Sequence, residues 1–141
     1  MQRRFQKWKP PTFDKKEMTK WNWMCQHSQN LKLGRDVDIG AFSYINAKYG
    51  VTIEELAQLG SHVSIYSVST IDRKKGKVTI GRNAKIGTHS VVMPGVTVGE
   101  NSVIGAFSFV NMNIPANTVA CGVPVKVIRE LRQDEGRSGD Q

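Results

Sequence analysis

The sequence has few of the residues on which metal, redox and membrane functions depend. It contains only two cysteines in 141 residues, Cys25 and Cys121, far apart and without zinc-site spacing. We interpret them as free thiols in a reducing cytoplasm. No apolar run approaches the roughly 20 residues of a membrane span. The first residues, MQRRFQKWKPP, also lack the apolar region of a signal peptide. These absences predict a cytoplasmic protein without a membrane span.

Acidic residues are also scarce. There are 12 of them against 20 lysines and arginines, which gives a net charge of +8. The basic residues concentrate at 3–20, 73–85 and 126–137. Such an excess favours an anionic partner, but no nucleic-acid-binding signature is present. We therefore expect a small polyanion such as a nucleotide or coenzyme and no nucleic acid; for the first cluster, a merely solvated surface is an equal alternative.

The sequence also lacks the apolar pattern of long amphipathic helices, and its apolar residues follow a different period. The stretch VVMPGVTVGENSVIGAFSFV, residues 91–110, is rich in glycine and almost uncharged. Around it, aliphatic or small residues recur at every sixth position, often followed by glycine. A hexapeptide period matches neither a helix nor a simple sheet, and it is typical of a parallel β-helix. The predicted interior set is Ile80, Ile86, Val92, Val98, Ile104, Val110 and Ala116.

Two earlier sets extend the repeat upstream. Phase slips separate the sets at 48–52 and at 72–77, where a loop longer than an ordinary corner is expected. The repeat predicts an all-β solenoid of about five coils over 31–125, in one domain. The sets are Leu33, Ile39 and Ile45, then Ile53, Leu59, Ile65 and Ile71.

The two ends differ from the repeat. Residues 5–13 form an aromatic strap, and Asp14 with Glu17 has capping-box spacing, which predicts a helix from 15 to 27. Residues 1–30 would then cap the open end of the solenoid; lining of a substrate pocket and a membrane-surface helix are alternatives. The stretch KVIRELRQ, 126–133, predicts a short helix followed by a disordered tail to residue 141.

The end of the repeat carries a resemblance to a known family. The sequence IPANTVACGVPVKVIRE, within 80–130, resembles the signature of hexapeptide-repeat acyltransferases, particularly the sugar and amino-sugar acetyltransferases. The resemblance implies a left-handed β-helix, a homotrimer, and acetyl-coenzyme A in the groove between two subunits. Carried over by position, Thr88 and Ala106 would line the pantetheine path with backbone groups. Lys126 and Arg129 would lie near the phosphates, which suits their charge; a solvated C-terminal helix is the alternative.

The sequence departs from that family at two positions. Many sugar O-acetyltransferases place a catalytic histidine where this chain has Thr70, and a family lysine is replaced by Met112. The active-site loop is also reduced to 72–77. The resemblance therefore does not supply the usual machinery for acylating a hydroxyl group.

Histidine is the most frequent general base near neutral pH, so His62 and His89 are the catalytic candidates. Each lies three residues after its hexad aliphatic residue and should project outward at a corner. The spacing predicts different corners within one subunit and a shared groove across a subunit boundary. One would act as the base while the other orients the acceptor or the thioester. Asp72 is a third candidate, as a proton acceptor or an amine anchor; for all three, an ordinary corner residue is the alternative.

An amine needs less help than a hydroxyl to attack a thioester. The expected reaction is therefore acetyl transfer from acetyl-coenzyme A to the amino group of a nucleotide-linked deoxy-amino sugar, in surface glycan synthesis. Sugar O-acetylation and a non-catalytic scaffold are the alternatives. A zinc site like that of the β-helical carbonic anhydrases needs three histidine ligands, and the spacing of the three histidines does not provide them, so no metal is predicted.

Overall fold

A computed structural model describes residues 5–135, and in this part the chain winds into a parallel β-helix of about five turns. Besides the one-turn 3-10 helix Ser28–Asn30, the structure consists of short strands. The strands are β1 Met24–Gln26, β2 Leu31–Leu33, β3 Asp38–Ile39, β4 Tyr44–Asn46, β5 Val51–Ile53, β6 Gln58–Leu59, β7 Ser64–Tyr66, β8 Val68–Ser69, β9 Lys74–Lys75, β10 Val78–Ile80, β11 Lys85–Ile86, β12 Val91–Val92, β13 Thr97–Val98, β14 Val103–Ile104, β15 Phe109–Val110, β16 Thr118–Cys121 and β17 Lys126–Glu130.

Successive strands pass through three sheets in turn. The first sheet contains β1, β4, β7, β12 and β15, and the second contains β2, β5, β10 and β13. The third contains β3, β6, β11, β14, β16 and, at its edge, β17. Except for the β16–β17 pair, all neighbours in these sheets are parallel, so each coil hydrogen-bonds to the coils before and after it. The prediction of a parallel β-helix of about five coils is confirmed.

The hexad residues fill the interior as predicted. Most are fully buried, and their side chains stack along the axis. Two predicted interior residues lie outside. Ile71 is 95% exposed, because the chain leaves the coil after Ser67. Ala116 is exposed, and Ile114 takes the interior position instead, because the last coil is shorter.

The departure at Ser67 is a β-hairpin. Equivalent residues of neighbouring coils are 18 residues apart for Asn83 and Asn101 but 27 apart for Ser61 and Thr88, an insertion of nine residues. In it, β8 and β9 pair antiparallel. The backbone N–H of Gly76 donates to the carbonyl of Ser67 at 2.9 Å and closes the base of the hairpin. The insertion is longer than the loop 72–77 that the sequence predicted.

The predicted helix at 15–27 is wrong. The Asp14 carboxylate does accept the backbone N–H groups of Lys16 and Met18, at 2.7 and 3.0 Å, but the chain then turns. Trp23 and Cys25 enter the core with the two-residue period of a strand, so β1 already belongs to the β-helix, which begins before residue 31. Burial raises the pKa of the Cys25 thiol to about 12, which keeps it protonated.

The strap nevertheless packs on the open end of the solenoid. The Trp8 indole N–H donates to the carbonyl of Val37 at 3.0 Å, and Phe13 packs edge-on against Trp23 with ring centroids 5.5 Å apart. Within residues 5–135 no helix has the length and hydropathy needed to cross a membrane.

The helix predicted at 126–133 is also wrong. Lys126–Glu130 forms β17, which pairs antiparallel with β16. The last coil leaves the edge of β16 open, and a strand satisfies its backbone groups where a helix would not. The predicted disordered tail falls mostly on 136–141, which lie outside the described residues.

Two isoleucines six positions apart test the interior assignment. Ile65→Ala removes a fully buried side chain and should lower the free energy of unfolding by about 2–5 kcal/mol. Ile71→Ala, the matched control, should change it by less than about 0.5 kcal/mol. Urea unfolding at one protein concentration measures both. Equal losses would contradict the placement of Ile71 on the hairpin.

Candidate active site

Four aromatic side chains form a row along the corner between the third and first sheets. The ring centroids of His62 and His89 are 4.5 Å apart, and the planes are nearly parallel at 7°. Phe107 stacks on the other face of His89 at 4.9 Å and 6°, and Phe42 lies 5.2 Å from His62. All four are exposed at the surface. We call Phe42, His62, His89 and Phe107 the aromatic ladder.

The ladder corrects the predicted placement of the histidines. His62 and His89 share one corner on neighbouring coils of the same chain, whereas the spacing predicted different corners. The error came from the insertion, whose nine residues bring the separation to one complete coil. Each of the four has a left-handed backbone, with φ between 57° and 64°, which turns the side chain outward. Phe42 and Phe107 occupy the same corner position as the histidines, but neither was predicted to be a site residue.

Thr88 and Ala106 lie beside the ladder, each one residue before a ladder residue. The Thr88 hydroxyl oxygen is 2.8 Å from Nδ1 of His89 and 2.8 Å from the carbonyl oxygen of Ser61. The carbonyl of Thr88 accepts the backbone N–H of Phe107 at 2.9 Å. The structure therefore brings both predicted pantetheine-lining residues to the same corner as both histidines.

Lys126 lies towards the same corner, at the C-terminal end of the solenoid. It is exposed and pairs with Cys121, the last residue of β16 before the corner. The N–H of Phe109 donates to the carbonyl of Gly122 at 2.9 Å, so the turn after β16 stacks below the ladder. Lys126 therefore lies on the edge strand β17, near the C-terminal end of the corner that carries the ladder.

Arg129 is placed differently. It lies opposite Val119, further from the ladder corner, and its guanidinium binds both carboxylate oxygens of Glu135, at 2.7 and 2.9 Å. This contact raises the pKa of Arg129. The positive charge is already paired, so Arg129 is a weaker candidate for a phosphate contact than Lys126.

A cleft of about 450 Å³ opens at the far end of the first sheet, where the hairpin begins. The rings of Tyr44 and Tyr66 meet there at 5.5 Å, and the Asn46 amide lies 3.3 Å from the Tyr44 hydroxyl, which donates to Gln26. These residues supply aromatic faces and polar groups of the kind that sugars and bases contact. The cleft is lined by Tyr44, Asn46, Tyr66, Val68, Ser69, Thr70, Ile71, Asp72 and Met93.

Asp72 is in this cleft and not beside the histidines. A hydrogen bond from Ser69, and then the charge of Lys74 at 3.6 Å, lower the pKa of its carboxyl group. It is therefore ionised at neutral pH, which makes it a poor base and a suitable anchor for an ammonium group. His62 precedes the first-sheet strand β7 and Asp72 follows it, so the two lie at opposite ends of that strand. Thr70 shares the cleft.

A second cavity of about 240 Å³ separates the strap from the first coil. Trp8, Trp21 and Trp23 line it, together with Lys7 and Lys20, whose ammonium lies 4.6 Å from the Trp21 ring centroid. Across the whole described part of the chain, no group of three or more His, Cys, Asp or Glu side chains is arranged to hold a metal ion.

The repeat region matches a known family. The model described as bacterial transferase hexapeptide (six repeats) covers residues 77–111. Galactoside O-acetyltransferase of Escherichia coli (strain K12) is 40% identical over 113 residues, 70% of this chain and 56% of the relative. The enzyme of the same name from Lactococcus lactis is 34% identical over 122 residues, 76% of this chain and 59% of the relative. The chain thus spans somewhat over half the length of these curated relatives. It belongs to the hexapeptide-repeat transferase family, as the sequence predicted.

Solved structures agree with this assignment. A galactoside acetyltransferase in complex with coenzyme A has a TM-score of 0.72 at 35% identity, over 78% of this chain and 59% of that one. A maltose O-acetyltransferase from Clostridium difficile 630 has a TM-score of 0.70 at 30% identity, over 79% of this chain and 65% of that one. An N-acyltransferase from Bacillus cereus in complex with dTDP and coenzyme A, at 19% identity and a TM-score of 0.71 over 82% of this chain and 81% of that one, shares the fold.

The Asp72 environment is open to direct test. Carbon-13 NMR titration should find its carboxyl pKa below the ordinary aspartate value. Ser69→Ala should raise that pKa more than Lys74→Met does, because the hydrogen bond from Ser69 is the larger cause. An Asp72 pKa that is unchanged by Ser69→Ala would contradict the proposed contact.

Proposed function

We propose that this protein transfers the acetyl group of acetyl-coenzyme A to the amino group of a sugar, with a nucleotide-linked deoxy-amino sugar as the acceptor. The observation that carries the proposal is the pair of exposed, stacked imidazoles on the same corner as Thr88 and Ala106, with Lys126 near the C-terminal end of that corner. This corner offers a base beside a path for the donor. The proposed setting is the cytoplasm, where such donors and acceptors are made, and the product would serve surface glycan synthesis.

The donor would lie along the aromatic ladder. Its pantetheine arm would follow the corner past Thr88 and Ala106, and its phosphates would reach Lys126 at the C-terminal end. The net charge of +8 favours such a polyanion. Arg129 would contact a phosphate only after leaving Glu135, so we assign it a smaller share of donor binding.

A homotrimer would complete the site. Phe42 and Phe107 are each 64% exposed, and such apolar rings are typical of surfaces that a neighbouring subunit covers. Within one chain, Asp72 and the ladder lie at opposite ends of β7. A groove between two subunits would bring the ladder of one beside the cleft of the next, with the acceptor between them.

In the proposed reaction, the amine attacks the thioester carbonyl carbon and forms the new C–N bond. A backbone N–H at the corner stabilises the oxyanion. The C–S bond then breaks, and the coenzyme leaves as a thiolate. A ladder histidine takes the proton from the attacking nitrogen and returns it to the thiolate sulfur. Asp72 holds the acceptor in its ammonium form, and loss of one proton to solvent gives the neutral amine that attacks.

Sugar O-acetylation is the second candidate. The 40% identical Escherichia coli relative and the 30% identical Clostridium difficile structure are both named O-acetyltransferases. A ladder histidine would equally take a proton from a hydroxyl. We place the amine first because the cleft has Thr70 and an ionised Asp72 where many sugar O-acetyltransferases have a histidine. A non-catalytic scaffold is the third candidate.

Donor binding is the first test. Calorimetric titration with acetyl-coenzyme A should show that Lys126→Ala weakens binding about tenfold or more, since it removes a charge-assisted phosphate contact. Arg129→Ala should weaken it less, and the double variant should be the weakest. Lys32→Ala, on the exposed second sheet of the first coil, is the matched control and should bind normally. No binding at millimolar donor would reject the enzyme and favour the scaffold.

Acceptor identity is the second test. Thiol release should be faster with a nucleotide-linked deoxy-amino sugar than with the same sugar carrying a hydroxyl in place of the amine. Asp72→Asn should raise KM for the amino sugar more than it lowers kcat, because it removes an anchor and not a base. Faster turnover of the hydroxyl analogue would reverse the order of the first two candidates.

A further inference from the structure

The Thr88 hydroxyl has one hydrogen atom but three polar neighbours, of which the Ser61 hydroxyl oxygen, at 3.1 Å, is the most distant and can itself donate. The Thr88 oxygen is 2.8 Å from the carbonyl oxygen of Ser61 and 2.8 Å from Nδ1 of His89. Both of these distances are those of a good hydrogen bond. The Ser61 carbonyl can only accept, whereas a neutral imidazole nitrogen can donate or accept.

These distances select one proton arrangement. Two oxygens at 2.8 Å need a hydrogen between them, and only the Thr88 hydroxyl can supply it to the Ser61 carbonyl. The Thr88 oxygen, having given its only hydrogen to the Ser61 carbonyl, can then only accept. One lone pair is available for the Ser61 hydroxyl and one for His89, so the hydrogen towards His89 must come from Nδ1. The neutral ring therefore carries its hydrogen on Nδ1, and Nε2 keeps a lone pair.

We propose that Thr88 is a positioning residue that holds His89 in the Nδ1–H form, and that His89, rather than His62, is the catalytic base. The catalytic half of this inference rests on the proposed function; the tautomer does not. In the reaction, Nε2 of His89 takes the proton from the attacking nitrogen and later gives it to the thiolate. The Nδ1–H bond to Thr88 persists throughout, so the ring stays in place.

The stack supports the same assignment. His89 lies between two parallel rings, Phe107 at 4.9 Å and His62 at 4.5 Å, so the imidazolium formed on proton uptake has an aromatic ring on each face. The face of Phe107 attracts a cation. His62 has no comparable anchor: among residues 5–135, its ring makes stacking contacts but no side-chain hydrogen bond. We assign His62 a supporting role in the stack.

The tautomer is measurable without any substrate. Nitrogen-15 NMR of the histidine rings, at an alkaline pH where the rings are neutral, should find His89 with its hydrogen on Nδ1. Thr88→Val, which keeps the shape and removes the hydroxyl, should move the hydrogen to Nε2, the nitrogen that carries it in most neutral histidines in water. Thr88→Ser should keep the Nδ1–H form. An Nε2–H ring in the unaltered protein, or a ring unchanged by Thr88→Val, would overturn the inference.

Kinetics test the catalytic half. His89→Ala should lower kcat by about 10²-fold or more, the usual share of a general base. Thr88→Val should lower kcat by about tenfold, because an exposed ring retains a fraction of the active tautomer, and Thr88→Ser should restore it. A larger loss of kcat in His62→Ala than in His89→Ala would overturn the choice of His89 as the base. Failure of acetyl-coenzyme A to bind in the calorimetric titration would instead reject the proposed function, and the NMR result on the tautomer would still stand.

Discussion

The backbone hydrogen bonds between successive coils are the constraint on which the rest of the structure depends. They require neighbouring coils to approach so closely that a Cβ added at Gly40 would lie 2.4 Å from the backbone nitrogen of Ser61. At that separation, the residues of one coil lie directly above their equivalents in the next, apart from those of the hairpin. Side chains at the corners therefore form rows, and the aromatic ladder is one of them. The site follows from the register of the coils and needs no helix to position it.

Much of this architecture could be predicted from the sequence, because an interior only one side chain wide selects an aliphatic residue at each sixth position. Ile65 and Ile80 were correctly predicted from this period to be buried. Ile71 fits the same period but lies on the hairpin, since a repeat by itself does not show where the chain leaves the coil. Because the size of the insertion was underestimated, His62 and His89 were also predicted to lie at different corners. The count from Ile65 to Ile80 fits an insertion of three residues if Ile71 lies in the coil and of nine residues if it does not, so the count alone does not decide between them.

The two ends were mispredicted for a common physical reason. Helical spacing at 15–27 and 126–133 is a local signal, whereas the ends of a solenoid present open strand edges that bind another strand. Cys25 pairs with Ile45 in the first sheet, and Lys126 pairs with Cys121 in the third. Tertiary pairing overrode local propensity at both places. The contacts of Thr88 were beyond prediction for another reason, since they depend on a stacked neighbour 27 residues away.

The hairpin is closed at its own base by the hydrogen bond from the backbone N–H of Gly76 to the carbonyl of Ser67. The coils above and below it meet as they would without it, so its length is independent of the stack. Lengthening a surface loop costs little free energy. Descendants of this chain could thus acquire longer, shorter or differently charged hairpins while the ladder stayed where it is. The fold thus separates a hairpin, whose length and charge can change, from a corner whose geometry is set by the stacking of the coils.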